Sequence, residues 1–218
     1  MAIKLTCYFI ISITVFFSKC SAVIVTVDDI VSVAEGNEAR IMCNIVRSSS
    51  SSEGISTVTW NNVTNGVTDT IAQSQNGVGS VRSSYIDRFS VEGDTTLVIA
   101  NTSRSDNGTY QCSVTIFDDP PSPASDDIIL SVIYLDKRVL ISFATPVMEG
   151  NTVNMSCIAN ANPSPTYTFL RDGEVQQSGA SSTFTVLSVS RNNNGSYMCR
   201  ANNSVGTETG DIRTLDVQ

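Results

Sequence analysis

Two stretches decide how this chain folds: Asp106-Asn107-Gly108-Thr109-Tyr110-Gln111-Cys112 and Asn193-Asn194-Gly195-Ser196-Tyr197-Met198-Cys199. Both carry Gly-x-Tyr-x-Cys, and each follows an earlier cysteine, Cys43 in the first half and Cys157 in the second. A tyrosine and a cysteine two positions apart on a strand point to the same side of the sheet, so both belong to one interior. The flanking residues keep that period. Tyr110, Cys112, Val114 and Ile116 alternate with Gln111, Ser113 and Thr115, while Ala39, Ile41, Cys43 and Ile45 alternate with Arg40, Met42 and Asn44. Further on, Val153, Met155, Cys157 and Ala159 form one inward row, and Tyr197, Cys199 and Ala201 form another. Alternation of this kind marks strands with a single buried face. Such signals recur at short spacing between Gly, Asn, Ser and Asp clusters, with no amphipathic helical stripe. The chain therefore reads as all-β, with two sandwich domains in tandem.

The N-terminus has a different character. Met1 to Lys4 is short and basic, Leu5 to Phe17 is an apolar run, and Cys20-Ser21-Ala22 supplies small residues for cleavage. This three-part order predicts a secretory signal peptide over residues 1–22. Its removal takes away Cys7 and Cys20 and leaves four of the six cysteines, an even number in an oxidising compartment. Four cysteines permit three connectivities. Of the 13 basic residues Lys4 and Lys19 are also lost, leaving 11 against 21 acidic ones and a net charge of −10. That balance disfavours nucleic acid or an anionic membrane as partner. No second apolar segment follows, so the sequence as it stands predicts a released extracellular product without membrane insertion.

The repeated Gly-x-Tyr-x-Cys behind an earlier cysteine resembles the immunoglobulin superfamily, over nearly the whole chain after residue 22. The resemblance implies two bridges, Cys43–Cys112 and Cys157–Cys199, each joining the two sheets of its own domain. Each would close a long loop, which the chain-entropy account values at about 4 kcal/mol. It also implies that Trp60, between the first two cysteines, packs on their bridge, and that the Tyr110 and Tyr197 hydroxyls tie down the corners before them. Cys43 and Cys112 are 69 residues apart, enough for the two additional strands of a variable-type domain. Cys157 and Cys199 are 42 apart, which suits an intermediate or constant-like domain. The expected domains are residues 23–134 and 135–218. Asn162 to Gly173 looks like the third strand of the second domain, with Phe169 where the family usually has tryptophan. Phenylalanine fills most of that volume but lacks the indole donor. Asn193 likewise stands where aspartate is usual. By the same resemblance Arg88 pairs with the corner carboxylate, Asp106.

Six Asn-x-Ser/Thr sequons occur, at Asn62, Asn101, Asn107, Asn154, Asn194 and Asn202, in a chain whose leader directs it to the glycosylating compartment. Parity turns Asn154 and Asn202 outward, and places Asn101, Asn107 and Asn194 near corner turns. Asn62 shares the parity of Trp60 and is accessible only if its strand has ended. Ser48 to Ser52 reads as a solvated loop.

An enzyme is not expected. The chain has no histidine, hence no Ser-His-Asp triad and no histidine metal ligand. The implied bridges consume the thiols, and no glycine-rich phosphate loop is visible. The pairs Asp28-Asp29, Asp118-Asp119 and Asp126-Asp127 read as solvated charge, so neither a metal nor a cofactor is predicted. Recognition through a surface remains. In variable-type domains of adhesion and immune receptors, the sheet carrying the tyrosine-corner strand often meets a partner. The resemblance places Gln111, Ser113 and Thr115 on that face, with Phe117, Asp118, Asp119, Pro120 and Pro121 in the loop at its end. The last strand of this half, Asp126 to Tyr134, lacks the Phe-Gly-x-Gly of antigen-receptor joining segments. The expected function is secreted, non-catalytic recognition or adhesion, toward an extracellular or cell-surface protein or glycan, a second copy included. A soluble decoy or truncated isoform of an immune receptor, and a structural matrix component, are the alternatives.

Overall fold

The computed structural model describes residues 23–46, 57–116 and 123–218. The leader, the serine run and the stretch from Phe117 to Pro121 lie outside the described residues. The chain divides into two compact units between Val132 and Ile133. Regular structure among the described residues is strand, apart from the short 3-10 turns Arg104–Asp106 and Arg191–Asn193.

The first unit contains β1 (Ile24–Thr26), β2 (Ile30–Ala34), β3 (Ala39–Met42), β4 (Asn44–Val46), β5 (Thr57–Thr64), β6 (Val67–Gln75) and β7 (Val78–Val81). It continues through β8 (Phe89–Glu92), β9 (Thr96–Ile99), β10 (Gly108–Thr115) and β11 (Ala124–Leu135), whose last residues pass into the second unit. One layer runs β11-β10-β5-β6-β7, with β2 beside β11, and the other runs β3-β9-β8. β1 pairs with β4. The inward rows Val58 and Trp60, Tyr110, Cys112 and Val114, and Ile128, Leu130 and Val132 meet Ala39, Ile41, Leu97, Ile99 and Phe89 in one buried cluster. Burying a side chain of this size contributes about 1.5–3 kcal/mol, so the cluster is the main source of stability. Cys43 and Cys112 are joined across the layers, with Cα atoms 6.2 Å apart, and Trp60 lies directly opposite Cys112 in register. β6 and β7 occupy the long interval between these cysteines.

The strand ladders are interrupted at two places, and only the second breaks the alternation. Cys43 separates β3 from β4 and gives its N–H to Thr95. In β6, Trp60 faces Ala72 while Asn61 faces Thr70, so Ile71 is an extra residue and both Ile71 and Ala72 are buried. A bulge of this kind re-aims the strand beyond it.

The second unit is built from β12 (Leu140–Ser142), β13 (Val153–Ile158), β14 (Ala161–Asn162), β15 (Thr166–Arg171), β16 (Glu174–Gly179), β17 (Thr183–Val186), β18 (Gly195–Asn202), β19 (Thr207–Thr209) and β20 (Arg213–Leu215). Its layers are β12-β13-β17 and β16-β15-β18, with β19 and β20 on successive parts of β18. Cys157 and Cys199 are joined, with Cα atoms 6.1 Å apart. Phe169 is fully buried opposite Cys199, and its ring lies 5.7 Å from that of Phe184. The third strand is shorter than the sequence suggests: Asn162 pairs with Tyr134 instead, and the strand proper begins at Thr166.

The corner before each tyrosine follows one plan in two chemistries. The Tyr110 hydroxyl donates to the Asp106 carbonyl at 3.1 Å, and that of Tyr197 to the Asn193 carbonyl at 3.0 Å. Asp106 accepts the Ser103 N–H at 2.7 Å, and Asn193 accepts the Ser190 N–H at 2.8 Å. Only the first corner carries an ion pair on its capping side chain; at the second, Arg171 donates to the Asn192 carbonyl and, at 2.9 Å, to that of Asn194. Arg88 grips Asp106 through two bonds of 2.7 and 2.9 Å. Burial pushes the Asp106 carboxyl up, but the hydrogen bonds from Arg88 and Ser103 outweigh it and hold its pKa below the ordinary carboxylate value.

A carboxylate with a depressed folded-state pKa adds stability above its unfolded value of about 3.9, and that stability is lost as pH falls through the folded one. Thermal melts of Asp106→Asn should thus lose less than the wild type below about pH 4. At neutral pH Arg88→Ala should cost about 2 kcal/mol, less than for a fully buried pair because the guanidinium is partly solvated.

Candidate recognition surface

The outer side of the first unit's larger sheet is set by the same alternation that builds its core. With Tyr110, Cys112 and Val114 inward, Thr109, Gln111, Ser113 and Thr115 of β10 face out. The register then assigns their neighbours. Gln111 lies between Asn61 of β5 and Asp127 of β11, Ser113 between Thr59 and Ser125, and Thr109 between Val63 and Ile129. Thr115 stands opposite Thr57. β6 extends the rows with Thr70 beside Asn61 and Gln73 beside Thr59, the bulge at Ile71 keeping both outward.

Gln111 donates its amide to Asp127 at 2.9 Å, and Thr70 donates its hydroxyl to Asn61 at 2.9 Å. Asn61 is only 8% exposed although it faces outward, so its neighbours form a shallow rim around it. Ile129 is 49% exposed at one margin. Among these described rows, Asp127 is the single ionisable side chain.

The charges of the first unit gather elsewhere and are mostly paired. Arg40 on the opposite layer bonds Glu38 at 2.9 Å and also Glu92. Arg104 bonds Glu35 at 3.0 Å. Arg82 and the Tyr85 hydroxyl, the latter at 2.7 Å, both reach Asp69. The hydrogen bond from Tyr85 holds the Asp69 carboxyl below its usual range and lifts the phenol above its own.

Of the residues picked from sequence, Gln111, Ser113 and Thr115 thus share one face. Phe117 lies outside the described residues. Asn61, Thr59, Thr70, Gln73 and Asp127 were not picked. The alternation beside Val58, Trp60 and Ile128 would have turned three of them outward, whereas Thr70 and Gln73 depend on the bulge.

The sequon asparagines stand off this surface. Asn62 belongs to the inward row of β5, opposite Tyr110. Its strand does not end there but continues to Thr64, whose hydroxyl donates to Asn62 at 2.9 Å, so the condition set for its accessibility is not met. Asn62 is half-buried at the end of that row. Asn101 is exposed, in the left-handed region at φ 50°. Asn154 points out from β13 and accepts the Thr185 hydroxyl at 2.8 Å. Asn202 ends β18 and accepts that of Thr207 at 2.6 Å.

Asn107 and Asn194 share one structural task that sequence reasoning missed. The Asn107 side-chain oxygen accepts the Val132 N–H at 2.7 Å, and that of Asn194 accepts the Val217 N–H at 2.6 Å. Each side chain ties the corner of its domain to the segment that closes it. Among the described residues no His, Cys, Asp and Glu side chains group to hold a metal ion, and no helix is long and apolar enough to cross a membrane.

Comparison with known proteins gives a consistent picture. A family model for the immunoglobulin V-set domain matches residues 26–133, and one for an immunoglobulin domain matches residues 138–203. The human cell surface A33 antigen is 23% identical over 218 aligned residues, which cover 89% of this chain and 67% of the antigen. A human protein described as the probable oxidoreductase PXDNL is 30% identical over 126 residues, 55% of this chain but 9% of its own length. The chain therefore spans a small part of that relative. The crystal structure of murine CEACAM1b superposes with a TM-score of 0.53 at 16% identity, covering 90% of this chain and 100% of its own. At that identity the likeness concerns the fold.

Replacing Asn194 by alanine leaves the Val217 N–H without its partner and should lower stability by about 1 kcal/mol. Asn154→Ala, which removes only an exposed hydroxyl contact, should change it by less than about 0.5 kcal/mol. Denaturant titration of unglycosylated protein separates the two.

Proposed function

The chain belongs to the immunoglobulin superfamily, a V-set domain ahead of a second immunoglobulin domain, and on that footing we propose that it is a secreted, non-catalytic recognition protein. The outer face of β10, β5, β6 and β11 is its contact surface, and the second domain serves as a spacer. One observation carries this reading: among the described rows of that face there is no sequon asparagine and no lysine or arginine, whereas Asn62, Asn101 and Asn107 all stand off it. A glycoprotein recognises through the surface that its own glycans leave open. The resemblance of the chain to cell-surface and adhesion-type relatives supports the same assignment.

The chemistry of the face favours a protein as partner. Without lysine or arginine in the described rows it offers no cation to sulfated or sialylated glycans. Hydroxyl and amide groups, by contrast, both donate and accept, and they suit the polar rim of a protein interface. Phe117 follows Thr115 closely in sequence and is retained as an anchor at the edge of the contact.

The mature glycosylated chain, presented to an array of extracellular domains, should bind a cell-surface protein. The combined variant Gln111→Ala, Ser113→Ala, Thr115→Ala and Phe117→Ala should bind it about tenfold more weakly, with its melting temperature kept. Undiminished binding by that variant would remove this face as the contact.

A further inference from the structure

Asparagine is followed directly by glycine at Asn65, Asn76, Asn107 and Asn194. In such a pair the main-chain nitrogen of the glycine can reach the asparagine side-chain carbon, because glycine has no Cβ to hold the two apart. The fold treats these asparagines differently. Asn107 is held at both ends of its amide, the oxygen accepting the Val132 N–H and the nitrogen donating to the Arg104 carbonyl at 2.9 Å. The Asn194 oxygen accepts the Val217 N–H. Swinging either side chain onto the next nitrogen would break these bonds and leave a main-chain N–H without its acceptor.

Asn65 and Asn76 are a matched pair. Each begins an Asn-Gly-Val triplet, each is exposed, and each sits in a two-residue hairpin loop, β5 to β6 or β6 to β7. The φ angles are 51° at Asn65 and 76° at Gly66, against 52° at Asn76 and 79° at Gly77. Positive φ at both positions is the turn that suits the twist of a hairpin and favours Asn-Gly. One bond tells the loops apart. The Gly77 N–H donates to the Asp94 carboxylate at 2.5 Å, and the same oxygen accepts the hydroxyl of buried Ser74 at 3.0 Å. A charge-assisted bond of this kind fixes the peptide plane and keeps the proton on nitrogen. Among the described residues, neither the Gly66 N–H nor the Asn65 side chain makes a hydrogen bond. The space beside the Gly66 Cα is open, with nothing within 4 Å of where a Cβ would stand.

We propose that Asn65 is a site of spontaneous deamidation, selected from the Asn-Gly pairs by its unheld neighbour. The Gly66 nitrogen attacks the Asn65 Cγ, the new N–Cγ bond closes a five-membered imide, and the Cγ–Nδ2 bond breaks. Nδ2 leaves as ammonia with the proton from the Gly66 nitrogen. Water then opens the ring. Attack at Cγ gives aspartate, and attack at the main-chain carbonyl carbon gives isoaspartate, whose backbone runs through the side chain. Both products add a negative charge, and isoaspartate adds a carbon to the loop that sets β5 against β6. The hairpin so altered joins two strands of the proposed contact surface. The modification goes beyond the recognition reading and stands without it.

Incubation of the mature glycosylated chain in heavy-oxygen water, at neutral and at mildly alkaline pH, followed by peptide mapping, tests this. Heavy oxygen should enter residue 65 several-fold faster than residue 76, with isoaspartate among the products and a rate that rises with pH. Asn107 and Asn194 should stay amides over the same period. In denaturant the difference between residues 65 and 76 should vanish, since their triplets are identical. Asp94→Ala should bring the rate at Asn76 up to that at Asn65 and leave Asn65 unaltered. The wild-type comparison stands if that variant melts early. Equal rates at Asn65 and Asn76 in the folded chain, or a preference for Asn65 that persists in denaturant, overturn the proposal. So does an Asp94→Ala variant that keeps its melting temperature and still protects Asn76.

Discussion

Each domain depends on a cystine with a large ring opposite it in register. Cys112 lies against Trp60, and Cys199 against Phe169, each pair in neighbouring strands of one layer. The sulfur bridge then reaches Cys43 or Cys157 in the other layer. The bridge limits how far the layers can separate in the unfolded chain, and the ring fills the space beside it once they meet. Everything else is consistent with that anchorage. Once Tyr110 and Cys112 are inside, Gln111 and Ser113 must be outside, so the core and the proposed contact surface are two sides of one alternation.

The corners show how much the chemistry changes around a preserved geometry. Asp106 and Asn193 perform the same backbone task through one side-chain oxygen each, taking the N–H of Ser103 or Ser190. The carboxylate additionally recruits Arg88, and so brings a charge pair and a dependence on acid that the amide corner lacks. Likewise, Phe169 occupies the place opposite the second bridge without any polar atom, whereas Trp60 brings an indole N–H that finds no hydrogen-bond partner among the described residues. The loss of an indole donor noted for Phe169 thus removes no hydrogen bond of the kind visible in the first domain.

Function follows from what is left outside. Sequon asparagines occupy the ends, corners and opposite layers, and two of them, Asn107 and Asn194, also hold backbone N–H groups of later segments. Ion pairs occupy the opposite layer, the β6–β7 edge and the corner before β10 in the first domain. The face between is hydroxyl-rich, with Asp127 as the one charge of its described rows, and its amide Asn61 is almost covered by its neighbours. Such a face offers many weak polar contacts.

The sequence by itself determined the two-domain all-β plan and which residues of β10 and β18 lie inside, because a period of two is written directly in the order of side chains. It also placed Arg88, Asp106 and both tyrosines within a recognisable pattern. Tertiary structure decided what that pattern leaves open. Register between strands is a long-range property, so the meeting of Ser113 with Thr59 and Ser125 was not legible, nor was the bulge at Ile71 that keeps Thr70 and Gln73 on one face. Parity put Asn62 inward, but only the run of β5 to Thr64 showed that the strand does not end there. The latches of Asn107 and Asn194 were hidden for the same reason. An exposed amide at a turn and one that holds a distant N–H look alike until the closing segment is in place.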